Sequence, residues 1–417
     1  MSKIFFLFTR SVSLLLFIFL VQPLFSQEQK TELEFYGFVR NNFFYNSRQN
    51  EQSIDGVFHI IPKPVSMNSD GKDKNAIPES EMLSIATRLG LDVKGTDMLG
   101  AKTSAKVEAD FAGSGNTYFF LRIRRAYAKF DWTKSELLIG QTWHPLFGSV
   151  SPSIISINTG APFQPFNRSP QVAYTYKLGN TFSISTAAIY QMQYASPGPN
   201  GTSANYLKQA IIPDLFIGVE SKTQHWINGI GFGTKTIKPN PNASITSLSA
   251  TAYTQYVDSK FQFKLKGLWG QNMSDYLIMN GYGASKIEEL NDGSIKETEY
   301  TNLNVFSSWL NVVYGSKWKV GMFIGFSQNL GASSDLATTS DGNRIVYSRG
   351  FYGDSQLFAD QIYRASTYVS YNLPKLSLGA EYNFTAIQYG KIQKDGRTSE
   401  NGQVNNQRIE ASVVYHF

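Results

Sequence analysis

From Leu83 the chain alternates residue by residue. Leu83, Ile85, Thr87, Leu89, Leu91 and Val93 fall on one face, against Ser84, Ala86, Arg88, Gly90, Asp92 and Lys94 on the other. Ala101, Thr103, Ala105, Val107, Ala109 and Phe111 repeat the pattern against Lys102, Ser104, Lys106, Glu108 and Asp110. Period two is the signature of a strand with one apolar and one wet face. These runs are about eleven residues long, roughly twice an ordinary globular strand. Sixteen strands are predicted, near 33–46, 82–94, 99–111, 118–131, 135–141, 171–177, 181–194, 212–222, 226–238, 244–257, 260–273, 301–314, 317–328, 356–372, 375–390 and 405–417.

The connections are as informative as the strands. Loops (47–81, 113–117, 142–170, 195–211, 238–242, 274–300, 329–355, 391–404), most of them long, alternate with turns such as Leu178-Gly179-Asn180, Asp258-Ser259 and Leu373-Pro374. Membrane barrels have this layout, with short periplasmic turns and long extracellular loops. The expected fold is an all-β transmembrane antiparallel β-barrel of about sixteen strands. Its lumen face is polar and often charged, as in Glu381, Asn383, Arg408 and Glu410. The terminal Val413, Tyr415 and Phe417 resemble the signal read by the outer-membrane barrel assembly machinery.

Composition narrows the class. Lys3 and Arg10, an apolar core at Val12–Val21 and small Ser26 before Gln27 read as a secretory signal peptide over 1–26. Residues 27–417 then form one barrel domain in a bacterial outer membrane. There is no cysteine, so the fold is closed by hydrogen bonds and carries no lipid anchor. The net charge of +6 is scattered singly along strands, unlike the clustered runs of a nucleic-acid binder, and points to a lumen favouring anions.

In-order pairing brings Arg40, Arg88, Lys102, Lys106, Arg122 and Arg124 together at mid-height, with Asp92, Glu108 and Asp110 as fewer acidic partners. The bland alternative is that each cation pairs with a neighbouring carboxylate and only holds the wall. Arg125 falls on the apolar face, where a charge costs about 2–4 kcal/mol, so a bulge or a subunit contact is expected there. Outward Ala101, Thr103 and Ala105 also suit a subunit contact. The loop Trp143–Ser169 has no Asp or Glu but carries Trp143, His144, Phe147, Phe163, Phe166 and Arg168. So apolar a loop is expected to fold inward and narrow the pore.

No catalytic set is found. His59, His144, His225 and His416 are isolated, Asp70–Asn75 only faintly resembles a calcium loop, and Gly229–Gly233 lies within a strand. No enzyme activity, metal or cofactor is expected.

Glu108-Ala109-Asp110-Phe111 with Gly113-Ser114-Gly115-Asn116, then Leu121-Arg122-Ile123-Arg124-Arg125-Ala126-Tyr127, then Leu138-Ile139-Gly140-Gln141-Thr142-Trp143 resembles the DcaP-type outer-membrane porins. The resemblance implies a sixteen-stranded homotrimer passing small hydrophilic solutes, often negatively charged, such as dicarboxylates. It makes Arg122 and Arg124 basic lumen groups and Trp143 the opening of the constriction loop. Better-known members carry a periplasmic coiled coil before the first strand, for which Gln27–Thr31 is too short. Two other readings stay open: a neutral-sugar channel using Trp143, Phe147, Phe163 and Phe166, and a receptor or adhesin barrel binding a partner through its long loops.

Overall fold

The computed structural model describes residues 31–53, 56–113 and 120–417. The signal segment and Ser114–Asn116 of the motif block lie outside them. Among the described residues, sixteen strands close into one antiparallel barrel. In chain order they are β1 Glu32–Asn46, β2 (in two pieces, Glu79–Leu83 and Arg88–Lys94), β3 Lys102–Asp110, β4 Arg122–Asp131, β5 Ser135–Trp143 and β6 Arg168–Leu178. Then follow β7 Phe182–Ile189, β8 Asp214–Lys222, β9 Trp226–Asn240, β10 Ala243–Val257 and β11 Phe261–Gln271. The last are β12 Ile295–Gly315, β13 Trp318–Ala332, β14 Leu357–Asn372, β15 Leu376–Ile392 and β16 Thr398–His416. Each pairs with its sequence neighbour, and β1 pairs with β16 to close the wall. Closure leaves no open edge, so every wall strand finds a backbone partner on both sides. The seam is finished by Phe417: its N–H donates to Gly37 O at 3.2 Å, and its ring occupies the space a Cβ on Gly37 would need.

The outer face is apolar, with Leu33, Phe35, Ile123, Ile230, Phe232, Trp318 and Val320 all exposed. Two departures from simple alternation shape the inner wall. In β2 the single run predicted from Leu83 to Val93 is broken. Asn42 faces Leu83 and Phe38 faces Arg88, so five steps along β2 span four along β1. The extra residue flips parity: Met82 is 67% exposed on the outside, whereas Leu83 and Ile85 are buried inside against Phe44 and Val57. In β4 the register slips between Glu108 and Ala109 of β3, with Arg125 opposite Glu108 and Ile123 opposite Ala109. This is the expected bulge. It returns Ile123 to the outside and leaves Arg122, Arg124 and Arg125 without a lipid-facing charge among them.

The predicted loop at 238–242 is a tight turn, because β9 and β10 continue to Asn240 and Ala243. The connection after β1 is not simply extracellular. It carries a hairpin, Asn50–Ser53 with Phe58–Pro62, whose Phe58, His59, Ile60 and Ile61 are buried inside the barrel.

Candidate pore constriction

Residues 144–167 fold into the lumen as the sequence implies. The loop is closed at its neck by His144 N–H donating to Asn167 O at 2.9 Å. Having no charged side chain of its own, it takes its partners from the wall. Lys266 Nζ donates to Phe147 O, and Lys264 Nζ reaches Ser151 O at 3.2 Å and Ser153 Oγ at 2.8 Å. Arg40 Nη2 donates to Ile155 O and Arg364 Nη1 to Ala161 O, both at 2.6 Å. Glu381 accepts from the N–H groups of Ile155 (2.7 Å) and Ser156 (3.3 Å), and Trp309 Nε1 donates to Gln164 Oε1 at 2.8 Å. A buried carbonyl left without such a donor costs about 1–3 kcal/mol, so these bonds fix where the loop lies.

The same wall holds the hairpin. Arg364 Nη2 donates to Ile60 O at 2.8 Å, so one guanidinium ties both in-folded segments. Arg408 donates to Gly56 O (3.1 Å) and Val57 O (3.3 Å), and Tyr389 OH to Pro62 O at 2.7 Å. Burial, together with the charges of Arg364 and Arg408, holds the His59 imidazole well below the usual histidine range. The anchors Lys264, Lys266 and Arg364 were not singled out from the sequence, and Glu381 and Arg408 were read only as charged positions of the lumen face. Their inward parity was readable, but their acceptors lie in distant loops.

The opposite stretch of wall, β2 to β4, carries the charge cluster. Arg122 grips Asp110 with two bonds (3.0 and 2.8 Å), and Arg124 bridges Asp110 (2.6 Å) and Glu108 (2.8 Å). Arg88 stands 3.7 Å from Glu108, and Arg125 is opposite it in register. Four guanidiniums thus share two carboxylates, an excess of two positive charges. The side chains of Arg124, Arg122 and Arg88 are 11%, 19% and 26% exposed, and Arg125 is half-buried. Lys106 pairs with Asp92 at 2.6 Å and donates to Tyr36 OH at 3.0 Å. Arg40 lies beside the loop, 4.0 Å from Glu410. Lys102 is exposed at the start of β3, away from the cluster.

The loop's aromatic and basic residues lie elsewhere than expected. Phe147, Phe163, Phe166 and Arg168 are buried rather than presented to a channel, and Trp143 packs against them. Trp143 stacks on Phe147 at 4.0 Å and carries the Arg168 guanidinium 4.6 Å above its ring. Phe163 fills the space over Gly325, where a Cβ would meet its ring at 2.4 Å. His144 is buried too; its Nδ1 accepts from Leu146 N–H at 3.2 Å and its Nε2 lies 3.4 Å from Tyr276 OH. Burial and the nearby Lys235 lower its pKa to about 3. A loop this apolar gains more from packing than from lining water.

A closed barrel with an apolar outside, an internal loop after the fifth strand and a charged facing wall is the fold of the outer-membrane porins. Among solved structures the chain is similar to the outer membrane channel DcaP of Acinetobacter baumannii, with a TM-score of 0.67 at 18% identity, over 94% of this chain and 99% of that one. It is similar also to the anion-selective porin from Comamonas acidovorans, with a TM-score of 0.57 at 10% identity over 93% and 100% of the two chains. OmpT of Vibrio cholerae gives 0.55 at 12% identity over 95% and 100%. No family model and no curated protein matches the sequence. The resemblance to DcaP-type porins therefore holds at the level of the fold.

Proposed function

We propose that the protein is an outer-membrane porin: a water-filled channel through which small hydrophilic solutes diffuse passively, with a bias toward anions such as dicarboxylates. The observation that carries this reading is the four-to-two excess of guanidiniums on β2 to β4, placed on the wall not taken up by anchoring the charge-free loop. Fixed cations in a narrow water-filled passage concentrate anions, and guanidinium groups hold carboxylates through paired bonds. A structural relative named as an anion-selective porin agrees with it. The burial of Phe147, Phe163 and Phe166 speaks against sugar stacking on the loop. The small outward face where Ala105 meets Ala128 and Val107 meets Ala126 is the surface we assign to a homotrimer contact. Export by residues 1–26 and recognition of Phe417 by the assembly machinery belong to the same reading.

The test is the reversal potential of the purified protein in a planar bilayer under a potassium chloride gradient. A chloride-selective potential that collapses in the R122S/R124S double variant, where guanidiniums and carboxylates balance, is the expected result. Cation selectivity, or none, in the parent overturns the anion bias. Absence of any conductance favours the receptor reading.

A further inference from the structure

Four extracellular segments meet around a polar cavity of about 360 Å³ that is separate from the charge cluster on β2 to β4. Glu51 comes from the in-folded hairpin, Gln193 and Tyr194 from the connection after β7, Ser274 from the turn Ser274–Tyr276, and Arg349 from the short strand Val346–Arg349. This volume is at the small end of ligand pockets, roughly 300 Å³ and upward.

Its polar groups are of two kinds. Arg349 Nη1 meets Glu51 Oε2 at 3.3 Å, and Tyr352 OH donates to Glu51 Oε1 at 2.9 Å. A carboxylate has about four lone-pair positions, so Glu51 keeps acceptor capacity beyond these two bonds. Beside this pair stand donors without protein acceptors. Gln193 Oε1 accepts from both the backbone N–H and Nε of Arg168, at 3.1 and 2.9 Å, which fixes the amide's orientation. Gln193 Nε2 is therefore a donor, and it is buried with no protein partner, as is Arg349 Nε. Unmatched buried donors are uncommon because each forfeits the hydrogen bonds it had in water. The arrangement suits neither a simple anion, which Glu51 repels, nor a simple cation, which Arg349 repels.

We propose that this cavity binds a small zwitterion of the α-amino-acid type. Its carboxylate meets the partly exposed Arg349 guanidinium, with the unpartnered Gln193 amide beside it, and its ammonium donates to Glu51. Through Gln193 the cavity adjoins Arg168, the residue at which β6 leaves the constriction loop. A solute held here waits at the root of that loop.

Isothermal titration of the detergent-solubilised protein with L-glutamine, succinate and glucose tests this without relying on conductance, so its failure is distinguishable from failure of the channel reading. Saturable binding of L-glutamine, and not of the other two, is expected. E51Q and R349Q should each weaken it at least tenfold, and Y352F, which leaves both charges in place, by no more than about twofold. Retention of the folded electrophoretic form shows that each variant is intact. Equal binding of succinate, strengthened in E51Q, overturns the proposal in favour of a plain anion site. Binding of glucose, or of none of the three, overturns it as well.

Discussion

Two stretches of the inner wall use the same residue types for opposite ends. On β2 to β4, Arg88, Arg122, Arg124 and Arg125 crowd two carboxylates and stay in partial contact with solvent. On β11 to β16, Lys266, Arg364 and Arg408 are 1%, 2% and 0% exposed and donate to backbone carbonyls of the two in-folded segments. The main difference lies in the acceptor, although Arg408 also pairs with Glu410 at 3.2 Å. A carbonyl dipole neutralises no charge, but it satisfies a buried donor and is itself satisfied, so these cations act as mechanical anchors. Counting lumen cations therefore overstates the field a solute meets.

The sharpest way to break the contrast is R364M. It orphans Ala161 O and Ile60 O, at about 1–3 kcal/mol each, and frees both segments from their shared tether. We expect the largest effect of any single change in the lumen: a lowered midpoint in heat-modifiability electrophoresis, and larger, noisier single-channel currents. R122S/R124S on the other wall should move ion selectivity and leave current noise unchanged. If R364M shifted selectivity with steady current, the anchoring role would be wrong.

Much of this contrast was hidden in the sequence for definite reasons. Strand positions were legible because the outward face is repeatedly apolar, and the bulge because Arg125 broke that face. The parity flip in β2 was not, since Met82, Leu83 and Ile85 are all apolar and fit either side. The hairpin was legible in principle: Phe58-His59-Ile60-Ile61 is as unsuited to water as the constriction loop, and the same argument applies to it. Which cations face water depends on where two loops, separated by about a hundred residues, come to rest. No strand pattern encodes that.

Acid gives a second, smaller handle on the anchored side. His144, with a pKa of about 3, is neutral in the folded barrel at pH 5, and burial with two nearby cations holds His59 well below the usual range, whereas an unfolded histidine titrates near 6.5. Below about pH 6.5 the unfolded chain therefore binds more protons. Stability falls with falling pH, for His144 by roughly 1.4 kcal/mol per unit down to about pH 3, and His59 acts in the same direction. Asp275 works the other way, because burial raises its carboxyl and acid then favours the fold. H59Q/H144Q keeps Asp275, so the difference between parent and variant isolates the histidines. From pH 7 to pH 5 the midpoint of heat modification in the parent should fall relative to that of the variant; parallel curves would refute the assignment.

The mildest test concerns the charged side alone. The β4 bulge places one more guanidinium on the wall than one-to-one pairing allows. Deleting Arg124 leaves Arg122 opposite Asp110, Ile123 opposite Ala109 and Arg125 opposite Glu108, which is the register already present on either side of the slip. The ladder gains regularity as it loses both ion pairs of Arg124, while Arg122 still pairs Asp110 and Arg88 still faces Glu108, so the barrel should still fold. The guanidinium excess falls from two to one. The reversal potential should then lie between those of the parent and of R122S/R124S. If the deletion abolished selectivity outright, the geometry of Arg124 across Glu108 and Asp110, and not the summed charge, would be what selects anions.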